Sequence, residues 1–256
     1  MDTVTDISRL SDWLHQAWDQ SGLIGAQTGR NILKSICVTG QLPKLLRSLL
    51  TDRAQLEECA ARSYTHANGF DKIVLGSTAA GVKLRLHVWW PNRDDHTENI
   101  HNHRWDFSSV LLCGGFEMEF FGRSDSWSDS GKPVQVYEYS PSDVSGGYTV
   151  RHQGTMSMDL NFQDEFVQGN VYSLGHHTFH RVRTDRRRLT ATLMLQSTLA
   201  KATTTVLTEE RIYESNEQES VQLSTTALAD RIYAFTSRVS PESHRTMSIT
   251  ERLIGK

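Results

Sequence analysis

Histidine is the residue type whose placement along this chain points most clearly to chemistry. The sequence contains 11 histidines, and they are unevenly distributed. In the segment IHNHRWDFSSVLLCGG, His101 and His103 are separated by a single residue. Because alternate residues of a strand point to the same face, we expect these two imidazoles to lie side by side, about 6.5–7 Å apart along the chain. Two imidazoles at that spacing can bind one metal ion from the same side, although two histidines can also simply share a polar surface.

A second segment, GNVYSLGHHTFHRV, contains a third candidate imidazole. His180 lies in this segment, 77 residues after His103. The first histidine pair is flanked by apolar residues such as Trp105 and Phe107, which favours a buried strand. An imidazole without a partner is costly in such a place, so burial favours a binding role for the pair.

The predicted secondary structure that must position these histidines changes from helices to strands near residue 70. Upstream, apolar residues recur at three- and four-residue steps in DISRLSDWLHQAW and LPKLLRSLLTDRAQLEECAARSY, which predicts helices with one buried face, the first of them capped by Asp6. Downstream, short runs between turn signals fit strands, without helical patterns between them. The sequence therefore predicts a sandwich or barrel rather than βαβ units. After residue 200, TALADRIYAFTSRV predicts one more helix.

Composition and charge exclude several classes of function. Hydrophobic residues make up 38% of the chain and charged residues 22%, with a formal net charge of −3. This balance argues against charge-driven nucleic-acid binding. No apolar run approaches the ~18 residues of a membrane span, and MDTVTDISRL lacks the features of a signal peptide. Three widely spaced cysteines form no CxxC motif. We therefore expect a cytoplasmic protein with reduced thiols and with no nucleic-acid or membrane partner.

The two histidine segments together resemble the paired motifs of the cupin superfamily. In the first motif, two histidines separated by one residue precede a glutamate and then a glycine, and His101, His103 and Gly115 match the histidines and the glycine. In the second motif, Gly169 and His180 keep the spacing from glycine to histidine. The resemblance implies that all three histidines are metal ligands.

The same resemblance covers roughly residues 70–197 and implies a fold class. We expect a mainly β protein, a cupin double-stranded β-helix barrel with N-terminal helices and a short C-terminal extension. The expected boundaries are a helical segment at 1–68 that packs on the barrel, the barrel with its metal site at 69–200, and the extension at 201–256.

One departure from the usual cupin pattern changes the set of metal ligands that the resemblance implies. Phe107 or Ser108 stands where most cupins have a glutamate ligand, so the implied site has three neutral histidines. Thiol dioxygenases of the cysteine dioxygenase type also use three histidines, and Lys72 in FDKIVL matches the arginine with which they bind the substrate carboxylate. The cysteine and tyrosine that are cross-linked in animal cysteine dioxygenases fall near Ser108 and Ser197, which leaves the substrate open.

The chemistry of a three-histidine site favours this class of enzyme. Three facial imidazoles leave about three open positions on Fe2+, enough for a bidentate substrate and O2. Without a carboxylate ligand the ion keeps its full charge and favours an anionic donor such as a thiolate, enolate or carboxylate. We expect a mononuclear non-haem iron oxygenase that acts on a small anionic substrate, thiol- or amino-acid-like. Two alternatives stay open: Zn2+, Ni2+ or Mn2+ in the same triad for a lyase, hydrolase or isomerase, and a cupin that binds a small molecule without turnover.

Further candidates flank the triad. Lys72 could hold a second anionic group of the substrate, and His177 could serve as an acid or base. Trp105 shares the ligand face and could form a dry wall of the pocket, or it could simply be core. Its neighbours Arg104 and Asp106 should point away from the pocket, and for His87 a structural role is favoured. The helical first third could cap one end of the barrel or form a homodimer surface.

Overall fold

The computed structural model describes residues 3–19, 25–66, 68–92, 98–124, 132–141, 148–212 and 221–239. Helices begin and end the described part of the chain. The side chain of Asp6 accepts a hydrogen bond from the Ser8 amide and caps a single 3₁₀ turn at Ile7–Arg9, just before the first α-helix. The α-helices are α1 (Leu10–Asp19), α2 (Ala26–Val38), α3 (Gln41–Thr51), α4 (Arg53–Ala61) and α5 (Thr225–Arg238).

Between α4 and α5 the chain is built from strands in two antiparallel sheets. Their bounds are β1 (Tyr64–Thr65), β2 (Asp71–Ser77), β3 (Lys83–Trp89), β4 (Ile100–His101), β5 (Trp105–Cys113), β6 (Gly115–Arg123), β7 (Lys132–Pro141), β8 (Tyr148–Val167), β9 (Val171–Leu174), β10 (Phe179–Thr184), β11 (Thr190–Leu199), β12 (Thr204–Thr208) and β13 (Val221–Gln222). One sheet has the order β13-β1-β2-β3-β11-β5-β9, and the other closes in the order β10-β4-β12-β7-β8-β6. The prediction of a mainly β fold with N-terminal helices is confirmed.

Alternation along β3 explains how the first sheet is buried on both faces. Leu84 and Leu86 point toward the helices and join the large core that those helices form with the sheet. Arg85 and His87 alternate with them and so point to the opposite face, toward the second sheet. Both polar side chains are nevertheless buried, at 5% exposure each. The inner face of β3 therefore places two buried polar side chains between the sheets.

The sequence predicts one continuous strand through IHNHRWDFSSVLLCG, but in the structure this segment forms two separate strands. Strand β4 ends at His101, and β5 begins at Trp105. Between them the chain is held by Asn102, whose amide donates to the Thr205 carbonyl at 3.1 Å and whose Oδ1 accepts from the Thr205 amide at 2.8 Å. The prediction of a shared strand face for the two histidines is wrong, because His103 lies outside β4.

Strands β5 and β6 connect the two sheets through a tight turn at Gly114. Its φ of 70° is in the left-handed region, and a Cβ there would collide with the backbone of Leu189 and Thr190. Strand β8 runs through YTVRHQG and SMDLNF, which the sequence predicts as two strands. Strand β12 pairs with β4 and β7 in the closing sheet, although it follows residue 200, where the sequence predicts the barrel to end.

Helix α5, which was predicted from the sequence, packs against α3 and α4 and extends the helical layer. Leu228, Ile232 and Phe235 are its buried residues, spaced by three and four positions as one helical face requires. Among the described residues, none of these helices is long and apolar enough to cross a membrane.

Candidate metal centre

The three histidines predicted as ligands lie together where the two sheets face each other. His101 on β4 is directly paired with His180 on β10, so the register of two short strands places these imidazoles next to each other. Their ring centroids are 4.7 Å apart, and the ring of His103 lies 4.9 Å from His101 and 5.0 Å from His180. One potential ligand atom from each of the three rings lies within 4.8 Å of the others. The sequence motifs therefore converge in space.

Hydrogen bonds fix the orientation of two of these rings. His101 Nδ1 lies 2.9 Å from the Asn99 carbonyl, and His180 Nδ1 lies 3.1 Å from the Thr178 carbonyl. A carbonyl oxygen only accepts, so each Nδ1 carries the proton and each Nε2 keeps a free lone pair. A backbone carbonyl behind the imidazole is the usual way in which proteins orient a metal-binding histidine.

Burial keeps two of the three imidazoles, His103 and His180, uncharged at neutral pH. It lowers the pKa of His180 to about 3, with the nearby His101 ring as the next cause. Burial, followed by the neighbouring imidazoles His101 and His180, also lowers the pKa of His103 well below its ordinary value. A metal ion binds the neutral form of imidazole, so these two rings need not lose a proton before they bind it at neutral pH.

The donor set fits a divalent transition metal. Among the described residues, the group contains three imidazoles and no carboxylate. Imidazole suits Fe2+, Zn2+, Ni2+ and Cu2+, and three such donors leave open positions for substrate.

Aromatic side chains form one wall of the centre. The edge of Phe107 meets the ring of His103 with centroids 4.9 Å apart, and the Trp105 ring stacks on His103 at 5.9 Å. Trp105 and Phe107 form a small cluster with Met194 in which all three side chains are buried. A wall of this kind would keep water away from the imidazoles on that side. A role of Trp105 beyond packing stays a prediction.

Asp106 has a larger role than the surface contact expected for it. Its Oδ1 accepts two hydrogen bonds from His176, one from the amide and one from Nδ1, both at 2.7 Å. The His176 carbonyl in turn accepts from the His103 amide at 3.2 Å. Asp106 therefore ties the turn before β10 to the segment that carries His103.

Replacement of Asp106 by alanine should weaken both this turn and the metal site. Two hydrogen bonds would be lost at a half-exposed carboxylate, so we expect the free energy of unfolding to fall by about 1–2 kcal/mol. Metal affinity should fall by roughly tenfold or more, since groups that orient ligands typically contribute that much. Urea unfolding and a chelator competition would measure the two effects. Unchanged values for both would contradict this role for Asp106.

Lys72 and His177, the other predicted site residues, occupy different environments. Lys72 is 8% exposed, and its Nζ donates to the Tyr64 hydroxyl at 2.9 Å and lies 5.9 Å from the Trp105 ring. Burial, followed by the charge of Arg85, lowers its pKa well below the ordinary value. His177 is exposed and packs edge-on against His176 with centroids 5.4 Å apart. An acid–base role for His177 stays a prediction.

Arg85 is the residue at this site that sequence reasoning missed. Its guanidinium carbon lies 4.8 Å from the centre of the Trp105 ring. The signal was present in VKLRLHVWW, where basic residues alternate with apolar ones along a strand that is buried on both faces. The same alternation suggested a structural role for His87, and it also places Arg85 on the inner face.

Comparison with known proteins supplies only a partial likeness of fold. No protein-family model matches the sequence, and no curated protein matches it. Among solved structures, hydroquinone 1,2-dioxygenase PnpCD in complex with Cd2+ and 4-hydroxybenzonitrile matches with a TM-score of 0.29 and 12% identity, over 48% of this chain and 61% of that chain. Hydroxypropylphosphonic acid epoxidase from S. wedmorenis matches with a TM-score of 0.32 and 10% identity, over 53% of each chain. The Drosophila melanogaster CENP-C cupin domain matches with a TM-score of 0.29 and 7% identity, over 52% and 74%.

The first two of these matches span less than two-thirds of the other chain's length. Likeness of this degree says nothing about activity, which has to come from the chain's own residues. The strands themselves form two antiparallel sheets, one of them closed as a barrel, behind N-terminal helices, as the mainly β class predicted from the sequence requires. The narrower resemblance to cysteine dioxygenase-type enzymes stays a prediction.

Proposed function

We propose that this protein is a mononuclear non-haem iron oxygenase that acts on a small anionic substrate with O2. The observation that carries the proposal is the convergence of three imidazoles, of which His180 is buried and His101 and His103 are half-buried. In His101 and His180 a backbone carbonyl bound at Nδ1 leaves Nε2 free for a metal ion. Among the described residues no carboxylate joins the group, which favours an anionic donor from the substrate as a further ligand.

In this proposal His101, His103 and His180 hold the ion, which when bound as Fe2+ supplies Lewis acidity and the electrons that activate O2. The other residues act on the substrate. Trp105 and Phe107 shield one side of the site from water, which strengthens every charge interaction inside it.

Basic groups beside this wall favour entry of an anion. Lys72 and Arg85 lie at 5.9 Å and 4.8 Å from the Trp105 ring, and both are buried. The Arg85 guanidinium, which stays charged at neutral pH, gives this part of the site a positive potential that favours an anionic substrate. A thiol or an amino-acid-like molecule has the required charge and size.

Oxygen consumption tests this function. Protein loaded anaerobically with Fe2+, Zn2+, Mn2+ or Ni2+ is mixed with panels of small thiols, amino acids and diketones, and O2 uptake is followed with an electrode. We expect substrate-triggered uptake only with Fe2+ and only with members that carry an anionic metal-binding group. His103→Ala should abolish uptake, while His15→Ala, an exposed histidine on α1, should leave it unchanged. Turnover of a substrate by the zinc form without O2 would contradict an oxygenase and favour a lyase or hydrolase.

A further inference from the structure

Lys72 is a buried lysine on the face of the first sheet that is turned toward the second sheet. Strand β2 pairs it with Tyr64 of β1 on one side and with His87 of β3 on the other, so these three side chains share that face. Lys72 is 8% exposed, and its Nζ lies 5.9 Å from the centre of the Trp105 ring, which stacks on His103. The amine therefore lies beside the aromatic wall of the metal centre.

The surroundings of Lys72 disfavour a charged ammonium group. Among the described residues, no carboxylate forms an ion pair with it. The basic groups that act on it are Lys83, Arg85 and Arg104 and the imidazoles of His66, His87 and His103. Burial, followed by the charge of Arg85, lowers the pKa of Lys72 well below its ordinary value. A larger fraction of Lys72 than of an exposed lysine is therefore the neutral amine at neutral pH.

Tyr64 places a weak acid next to this amine. Lys72 Nζ donates to the Tyr64 hydroxyl at 2.9 Å, a contact that the pairing of β1 with β2 fixes. Burial, followed by the nearby Tyr148, raises the pKa of Tyr64, so the phenol keeps its proton at neutral pH. An acid within hydrogen-bond distance of a nucleophile can also protonate the atom that the nucleophile's attack makes basic.

The partners of Lys72 differ from those of a lysine that only stabilises the fold. A lysine that is almost fully buried for structural reasons is paired with an acidic group. Lys72 has a phenol as its hydrogen-bond partner and cations as its charged neighbours. Desolvation and neighbouring cations are the two features that make a lysine amine nucleophilic toward carbonyl compounds.

We propose that Lys72 forms an imine with the carbonyl group of a small aldehyde or ketone, with Tyr64 as the proton-transfer group. The Nζ lone pair attacks the carbonyl carbon, a C–N bond forms, and the carbonyl oxygen takes the proton of Tyr64. Tyr64 recovers a proton from the nitrogen, which leaves a neutral carbinolamine. The hydroxyl group and the remaining proton on nitrogen then leave as water, and the C=N bond forms. The step consumes no oxidant and no reductant.

Borohydride trapping on the metal-free full-length chain tests imine formation. The protein is incubated with propionaldehyde at pH 7, aliquots are quenched with sodium borohydride at timed intervals, and peptide mass spectrometry measures the propyl group on each lysine. We expect Lys72 to be labelled at least about tenfold faster than Lys44, an exposed lysine of α3, because exposed lysines are almost wholly protonated at this pH. The labelled wild-type peptide identifies the residue directly, so this result does not depend on the folding of a variant.

Two substitutions assign the roles of the amine and the phenol. Tyr64→Phe keeps the ring and removes the hydroxyl, so it should slow the labelling of Lys72 by roughly a hundredfold, the contribution of a positioned acid. Tyr233→Phe, which changes a tyrosine on α5 that is 69% exposed, should leave the rate unchanged. Lys72→Met should remove the label from this peptide and leave the labelling of Lys44 as it is in the wild type.

Equal labelling rates for Lys72 and Lys44, or a label on Lys44 with none on Lys72, would overturn the imine assignment. A Tyr64→Phe protein that is labelled as fast as the wild type would overturn the role of Tyr64. Imine formation goes beyond the proposed oxygenase activity and needs no metal ion, so the two can fail separately. Trapping at Lys72 in a protein that takes up no metal would remove the proposed function alone, and O2 uptake by a protein without trapping would remove the imine alone.

Discussion

His180→Ala should lose stoichiometric metal, the largest single effect that we expect from any substitution in this chain. His180 supplies one of three donors, and it sits directly opposite His101 across the β4–β10 pair. With one ring removed, only two imidazoles remain to bind the ion. Loss of a group that only orients a ligand can lower metal affinity by roughly hundredfold, so we expect loss of a ligand itself to lower it by more.

Metal content after anaerobic loading and desalting measures this effect. His15→Ala is the matched control, because it removes an imidazole that is 62% exposed on α1. A His180→Ala protein that keeps one equivalent of metal would show that the ion binds elsewhere. Circular dichroism of both variants would confirm that the barrel is intact, since an alanine on a short strand of the sheet keeps the backbone pairing.

Acid should unfold the metal-free protein well before its carboxylates are protonated. His87 and His180 are 5% and 3% exposed. Burial lowers the pKa of both, that of His87 well below its ordinary value and that of His180 to about 3. In the unfolded chain both titrate near 6.5, so below that pH the unfolded state binds protons that the folded state does not. The free energy of unfolding must then fall as pH falls.

The expected slope is about 1.4 kcal/mol per pH unit for each histidine that is protonated only when unfolded. This loss begins near pH 6.5 and, for His180, continues until the pH passes its folded pKa of about 3. Above about pH 6.5 the two residues should add no slope, because both states are then neutral. Urea unfolding between roughly pH 7.5 and 4.5 isolates the effect, since ordinary carboxylates stay ionised over most of that range.

Removal of one contributing histidine provides the control for the acid effect. His87→Gln should lower the slope by one histidine's share. A free energy of unfolding that stays flat down to about pH 5 would mean that the buried imidazoles accept protons in the folded state.

Local sequence patterns predicted much of this structure because the relevant signals are short in range. Helix periodicity located α1 and α5, and the spacing of the two histidine motifs predicted the meeting of His101, His103 and His180. Strand alternation in β3 placed His87 on the face opposite Leu86.

Features set by distant pairing escaped that reasoning. The break between β4 and β5 depends on Asn102 binding Thr205, a residue of a strand that the sequence did not reveal. The role of Asp106 depends on His176, which lies far along the chain. Arg85 was overlooked because a basic residue on a strand usually reaches solvent, and here the second sheet covers it.

X-ray absorption at the metal edge of protein loaded with one equivalent of Fe2+ tests the central claim most directly. If the three imidazoles bind the ion, the spectrum should show three ring nitrogens at roughly 2.0–2.2 Å from the iron, the distance typical of metal–histidine bonds. It should also show scattering from the more distant atoms of the imidazole rings. The His180→Ala protein should lose that signal. A wild-type spectrum without imidazole scattering, or a protein that retains no metal after anaerobic loading, would contradict the account.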